Sequence, residues 1–302
     1  MIKGRFAPSP SGILHIGNVT SSLLAWLDVR SRGGKLVFRM EDLDPDRSFE
    51  KFEKRICDDL KFLGLDWDIG YGYADGHSQS GRTPLYEEAF ELLKKKDLVY
   101  PCYCSRNQRL AASAPHAGEK HDSSCPCRYL TKQERLQLEA SGKKPAWKIK
   151  VPDKTISFTD GHYGEQRENL LDGGDFIIKR SDGVFAYQLA VSFDDMDMGI
   201  NRVVRGRDLL SSTAKQIYLI NELGGVSPEY CHSPLIVSKD GRKMSKRSGD
   251  LSMEVLREKY SAEEIIGYLA KLLNLGDGSP ISADELISAF SWDKVPRDDI
   301  LI

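Results

Sequence analysis

The chain has 302 residues, 40% of them hydrophobic and 29% charged, with a formal net charge of -2. This excludes a disordered or fibrous protein, and it excludes one that coats nucleic acid through a large basic excess. No apolar run approaches the ~18 residues that cross a bilayer and no signal-like region opens the chain, so a cytoplasmic protein of about two domains, with no membrane partner, is expected.

In chain order, a strand is predicted around Ile2 to Phe6, then a Pro/Ser/Gly turn from Pro8 to Gly12 and a helix from about Gly17 to Val29. A second strand, Lys35 to Met40, leads through the acidic run Glu41 to Asp46 into a helix whose Phe52, Ile56, Leu60 and Leu63 are apolar. Such a βαβα order implies a parallel sheet with its ligand beyond the carboxyl ends of the strands. From Tyr100 to about Asp175 the character changes: cysteines, a polar loop from Ser113 to Ser124, and strand-like pieces at Ala146 to Val151 and Thr155 to Thr159 mark an insertion. The α/β pattern is expected to resume with Phe176 to Lys179, a helix near Phe185 to Val191, a strand at Arg202 to Arg205 and a helix from Ser212 to Glu222. From Leu251 onward Val255, Leu256, Ile265, Ile266, Leu269, Leu272 and Leu273 recur at helical spacing.

The segment Arg5-Phe6-Ala7-Pro8-Ser9-Pro10-Ser11-Gly12-Ile13-Leu14-His15-Ile16-Gly17-Asn18 joins a strand to a helix through small residues. Backbone N–H groups and the positive end of the helix dipole suit a phosphate there. His15 and Asn18 are placed to donate to charge developing on an α-phosphate, and Gly17 admits a nucleotide close to the backbone. A lone His-x-Gly is more often a helix cap with a structural histidine. A second segment changes that balance: Lys239-Asp240-Gly241-Arg242-Lys243-Met244-Ser245-Lys246-Arg247-Ser248-Gly249 is a glycine-bounded basic loop. Lys243 and Lys246 are suited to close over a triphosphate and neutralise departing pyrophosphate, although a basic run by itself is usually a solvated loop.

Together these segments resemble the HIGH and KMSKS motifs of class I aminoacyl-tRNA synthetases, here His15-Ile16-Gly17-Asn18 and Lys243-Met244-Ser245-Lys246-Arg247. Arg5 to Gly17, Phe38-Arg39-Met40-Glu41-Asp42-Leu43-Asp44-Pro45, Phe185-Ala186-Tyr187-Gln188-Leu189-Ala190 and Val203-Val204-Arg205-Gly206-Arg207-Asp208-Leu209-Leu210 are similar to the glutamyl and glutaminyl subgroup. The resemblance covers residues 3–249. It implies an α/β fold: a Rossmann-like catalytic domain in halves at 1–99 and 176–238, a zinc-bearing insertion at 100–175, and a basic loop with a small helical, stem-contact-like region at 239–302. It also implies ATP and L-glutamate as substrates, Mg2+ with the ATP, and a monomer. By resemblance, Arg5, Ala7 and Ser9 hold a carboxylate of the amino acid, Glu41 its ammonium, and Tyr187 and Arg205 complete that pocket. His15, Gly17 and Lys246 meet ATP, with catalysis resting on His15, Asn18, Lys243 and Lys246.

Only 53 residues follow Gly249, too few for the anticodon-binding region of a full glutamyl-tRNA synthetase. This length resembles a short paralogue that transfers glutamate to the queuosine base at the wobble position of tRNA(Asp). The competing expectations are a minimal or truncated glutamyl-tRNA synthetase charging a tRNA 3′ end, and a non-catalytic RNA-binding relic. The relic is disfavoured by the retained Arg5, His15, Glu41, Arg205, Lys243 and Lys246.

Cys102/Cys104 and Cys125/Cys127 form two Cys-x-Cys pairs, which in a reducing compartment favour a metal over disulfides. The short paralogue carries Cys-x-Cys and then Tyr-x-x-x-Cys-Arg as zinc ligands. Here Cys127-Arg128 match the ending, but Ser123 stands where the tyrosine is expected. Cys125 or His121 is the replacement ligand.

Overall fold

The computed structural model describes residues 1–46, 48–72, 77–104, 125–238 and 251–302. The basic loop and the polar loop around His121 and Ser123 lie outside the described residues. Among those described, no helix is long and apolar enough to cross a membrane.

The chain opens β1 (Lys3–Phe6), α1 (Ile16–Arg30), β2 (Lys35–Phe38), α2 (Glu50–Phe62), β3 (Ile69–Gly70) and α3 (Thr83–Lys95). The next stretch is β4 (Val99–Cys102), α4 (Lys132–Ala140), β5 (Ala146–Ile149), β6 (Thr155–Asp160), β7 (Gly164–Asn169), the single turn α5 (Leu170–Gly173) and β8 (Phe176–Lys179). Then follow α6 (Tyr187–Asp197), β9 (Arg202–Gly206), α7 (Thr213–Glu222), β10 (Glu229–Ser233) and β11 (Ile236–Val237). Helices α8 (Met253–Lys259), α9 (Ala262–Leu272) and α10 (Ala283–Leu286) precede the closing β12 (Ile300–Leu301).

Strands β1, β2 and β3 pair in parallel in that order, and β9 pairs in parallel with β10. The two groups abut at β1 and β9, where Asn201 N–H donates to the Lys3 carbonyl at 3.0 Å and Asn201 Oδ1 accepts from Lys3 N–H at 2.8 Å. Strand order thus reverses between β1 and β9, and a crevice opens at their carboxyl ends.

Helix α1 is buried almost all round, with Val19, Leu23, Leu24 and Leu27 fully enclosed. A helix apolar on every face needs cover on both sides. The sheet provides one side; Met253, Leu256, Ile265, Ile266 and Leu269 of the C-terminal helices share its core and provide the other. Capping fixes where α9 begins: the Ser261 hydroxyl accepts from Glu264 N–H at 3.2 Å and the Glu264 carboxylate accepts from Ser261 N–H at 2.7 Å.

Three expectations need correction. Phe176 to Lys179 does not resume the parallel pattern: β8 pairs antiparallel with β5, which pairs antiparallel with β4. The helix expected near Phe185 to Val191 is Tyr187–Asp197. It runs on because the carboxylates of its polar end are buried on arginines, at 0% exposure for Asp194 and 2% for Asp195. The last third also contains a strand, since β12 pairs in parallel with β11.

Candidate active site and cysteine cluster

Residues after β1 and β9 wall a cleft of about 510 Å³ at the switch point, lined among others by Arg5, Ala7, Ser9, His15, Gly17, Asn18, Glu41, Tyr187 and Arg205. The fold therefore gathers every sequence-predicted glutamate and nucleotide residue that lies within the described chain. Lys243 and Lys246 lie outside it, but the flanks of their loop meet the same cleft. Pro234, Leu235 and Ile236 line it on the upstream side. Downstream, Ser252 bridges His15, and Met253 N–H donates to the Leu14 carbonyl at 2.8 Å.

At the nucleotide end, His15 is the N-cap residue of α1 with extended backbone, and the Asn18 Oδ1 accepts from its N–H at 3.2 Å. That bond orients Asn18 with its amide N–H₂ left for other acceptors. Gly17 has a local reason as well as a ligand-related one: a Cβ there would sit 3.2 Å from the His15 ring. The start of α1 thus lines the cleft with an imidazole and an amide, and the positive end of the helix dipole there suits an anion.

The other end is charged and nearly dry. Arg5, 5% exposed, reaches Asp195 Oδ1 at 3.3 Å and the Val204 carbonyl at 3.2 Å. Fully buried Arg39 contacts the same Asp195 oxygen at 2.8 Å, Glu41 at 3.2 Å and Asp194 at 3.6 Å. Asp194 in turn accepts from Arg82, Gln79 and Tyr86. Burial pushes Asp195 up, but Arg39 and Arg5 outweigh it and hold its carboxyl below the usual range. For Glu41 burial wins over Arg39 and Arg5, and its carboxyl lies above the usual range.

Arg205 differs from its neighbours. It is 5% exposed, yet its side-chain partners are neutral: Gln216 Oε1 at 2.6 Å, Thr213 Oγ1 at 2.9 Å, His232 Nε2 at 3.0 Å, and the Leu209 carbonyl at 3.3 Å. A buried guanidinium satisfied by neutral acceptors keeps its positive charge for a ligand, and its planar fork suits a carboxylate. Tyr187 stands at the start of α6, 36% exposed to the cleft.

Sequence reasoning passed over Arg39, Asp194, Asp195 and His232. Arg39 stands inside the motif from Phe38 to Pro45, and Asp194 and Asp195 lie beyond the helix expected near Phe185 to Val191. The available signal was a run of acids within reach of an apolar helical pattern, which requires buried cationic partners.

In the insertion, Cys102 Sγ lies 3.5 Å from Cys125 Sγ, and Cys104 Sγ lies 3.5 Å from Cys125 and 3.6 Å from Cys127. All four sulfurs fall within 4.8 Å of one another. Four thiolates at ~2.3 Å from a tetrahedral zinc are separated by a little under 4 Å, so the cluster has the size that ion needs. Cys125 is thus gathered with the other three cysteines, and His121, the other candidate ligand, lies outside the described residues. The cluster is braced from outside: Asp175 accepts from Tyr100 Oη at 2.9 Å and from Arg128 Nη1 at 3.0 Å, each next to a cysteine strand or turn.

The family model for class I (E and Q) tRNA synthetases, catalytic domain, matches residues 1–296. The chain is 44% identical to a glutamyl-Q tRNA(Asp) synthetase of Symbiobacterium thermophilum, with 100% of this chain and 96% of that protein covered. A glutamate–tRNA ligase 2 of Syntrophus aciditrophicus is 42% identical over 97% of this chain and 62% of its own length. Among solved structures, a glutamate tRNA ligase of Elizabethkingia meningosepticum in complex with its amino acid superposes with a TM-score of 0.83 at 27% identity, covering 99% of this chain and 66% of that one. A reversed strand order with its cleft at the switch point is what this fold requires, and a family match over almost the whole chain supplies the rest: the chain belongs to the class I glutamyl- and glutaminyl-tRNA synthetase family and is a ligase.

Proposed function

We propose that this chain activates L-glutamate with ATP as glutamyl-adenylate, releasing pyrophosphate, and transfers the glutamate to the queuosine base at the wobble position of tRNA(Asp). The observation that carries the amino-acid assignment is Arg205, a buried cation held by neutral groups within one cleft with Arg5 and Glu41. Glutamate brings two carboxylates and one ammonium, which match two arginines and one glutamate. Ser9, Ala7 and Tyr187 complete the pocket.

In this reading the α-carboxylate of glutamate attacks the α-phosphorus of ATP. His15 and Asn18 donate to the phosphate as charge builds, and Gly17 lets the nucleotide lie against the start of α1. Lys243 and Lys246 neutralise the leaving pyrophosphate. Mg2+ bound to the triphosphate would offset its charge, and no described residue is assigned to it.

The acceptor rests on the relatives. The Symbiobacterium protein, matched over nearly its whole length, is named for glutamyl-Q tRNA(Asp). The Syntrophus protein, named a glutamate–tRNA ligase, favours 3′-end charging as the second reading. Comparing queuosine-bearing with queuosine-free tRNA(Asp) as acceptors separates the two.

We also assign Cys102, Cys104, Cys125 and Cys127 as ligands of a structural zinc, remote from the phosphate chemistry. Protein purified without chelator is expected to hold about one zinc per chain by metal analysis. Less than about half would contradict the assignment. Chelation is expected to loosen the insertion first, because α4 and its flanks depend on the cluster for anchorage.

A further inference from the structure

Asp160 of the β6–β7 hairpin is linked to Arg205 of the cleft by one buried histidine, His232 of β10. Asp160 ends β6, at the tip of the β6–β7 hairpin, and is 2% exposed. Its Oδ1 accepts from His162 N–H at 3.0 Å, Tyr163 N–H at 2.9 Å and His232 N–H at 3.2 Å. Its Oδ2 lies 2.6 Å from His232 Nδ1. The other ring nitrogen, Nε2, faces Arg205 Nε at 3.0 Å. An arginine N–H can only donate, so Nε2 must present its lone pair and Nδ1 must carry the hydrogen given to Asp160. Two partners thus fix one neutral tautomer.

We propose that His232, oriented by Asp160, is a positioning residue that sets the Arg205 guanidinium for the substrate carboxylate while keeping a permanent negative charge one imidazole away from it. The inference rests on the glutamate reading of the cleft. Its physical content is a contrast with the pocket's other arginines. Arg5 and Arg39 touch Asp195 directly, and their charge is partly spent. Were Asp160 in direct contact with Arg205, it would compete with the substrate for the same fork. Interposing a neutral imidazole holds the guanidinium by a hydrogen bond and leaves it with no carboxylate in direct contact among the described residues.

The surroundings favour this state. His232 is fully buried, Tyr230 stacks parallel to it at 6.4 Å, and Thr213 Oγ1 lies 3.4 Å from Nε2. Burial, with Arg205 and Arg5 nearby, lowers its pKa below the ordinary histidine value against the raising pull of Asp160, so the ring is neutral at pH 7. Asp160 stays ionised: burial pushes it up, but the bonds from His232 and the two backbone N–H groups outweigh that.

Two substitutions dissect the chain of contacts. His232→Gln keeps an acceptor near the Nε2 position and loses the bond to Asp160. His232→Asn keeps a donor near Nδ1 and loses the acceptor for Arg205. In glutamate-dependent pyrophosphate exchange, H232N is expected to raise KM for glutamate about tenfold to a hundredfold with KM for ATP unchanged, and H232Q to recover most of that loss. Equal changes in both KM values, or no recovery in H232Q, would overturn the proposal. Nitrogen-15 NMR of the wild-type imidazole gives a readout independent of substrate identity. The Nδ1–H tautomer at pH 7 is expected; the Nε2–H form or an imidazolium would overturn the geometry even if glutamate proves to be the substrate. Failure of the wild type to exchange with glutamate while showing the Nδ1–H tautomer would instead remove the proposed function, and this role with it.

Discussion

Replacing Arg39 by methionine is expected to cost about 3–5 kcal/mol of stability, because it removes the cation common to three buried carboxylates. Arg39 is fully enclosed and lies against Asp195 at 2.8 Å, Glu41 at 3.2 Å and Asp194 at 3.6 Å. Asp194 and Asp195 would keep Arg82 and Arg5 respectively, but Glu41 would lose its direct ion-pair partner. Arg39→Lys keeps the charge and loses the planar fork that serves several acceptors, so an intermediate loss is expected. Urea unfolding measures both, as a lower midpoint at unchanged slope. A loss below about 1 kcal/mol for Arg39→Met would contradict the picture of a charge cluster closed by this residue.

Arg205→Ala is expected to act most strongly on activity. Its partners are neutral, so no buried charge is left without its counter-ion, although Gln216 Oε1, Thr213 Oγ1, His232 Nε2 and the Leu209 carbonyl lose their donor. Each acceptor left buried and unpaired costs about 1–3 kcal/mol of stability. Losing this cation from the pocket is expected to lower kcat/KM for glutamate in pyrophosphate exchange by about a hundredfold to a thousandfold, equivalent to roughly 3–4 kcal/mol. Arg205→Lys should recover only part, since a single ammonium cannot grip a carboxylate with two parallel bonds. Exchange within about tenfold of wild type in Arg205→Ala would remove the carboxylate role from this residue.

These two arginines also mark the boundary of what the sequence discloses. The parallel start of the sheet was legible because strand-like segments at Ile2 to Phe6 and Lys35 to Met40 are separated by a helical pattern. The site was legible where motif and chemistry coincide, as at Arg5, His15, Glu41 and Arg205. Strand β10 was not legible: Glu229-Tyr230-Cys231-His232-Ser233 alternates poorly, and only the folded chain shows that His232 and Ser233 are buried because their polar atoms are bonded inside. The pairing of β8 with β5 was hidden for a related reason. Phe176 to Lys179 is as apolar as a parallel strand, and pairing direction is decided by a partner about 30 residues away, not by its own composition. The cysteine cluster lay between these cases. Spacing pointed to a metal, while the gathering of Cys125 with the other three cysteines needed the sulfur distances.

The Arg205 prediction concerns activation, which the queuosine and 3′-end readings share. The central claim is the acceptor, and the most direct measurement incubates the chain with ATP, labelled glutamate and tRNA(Asp) prepared with and without queuosine. The account predicts label on the queuosine-bearing tRNA alone, retained in an anticodon-loop fragment after nuclease digestion. Equal labelling of the queuosine-free tRNA, recovered at its 3′ end, would contradict it.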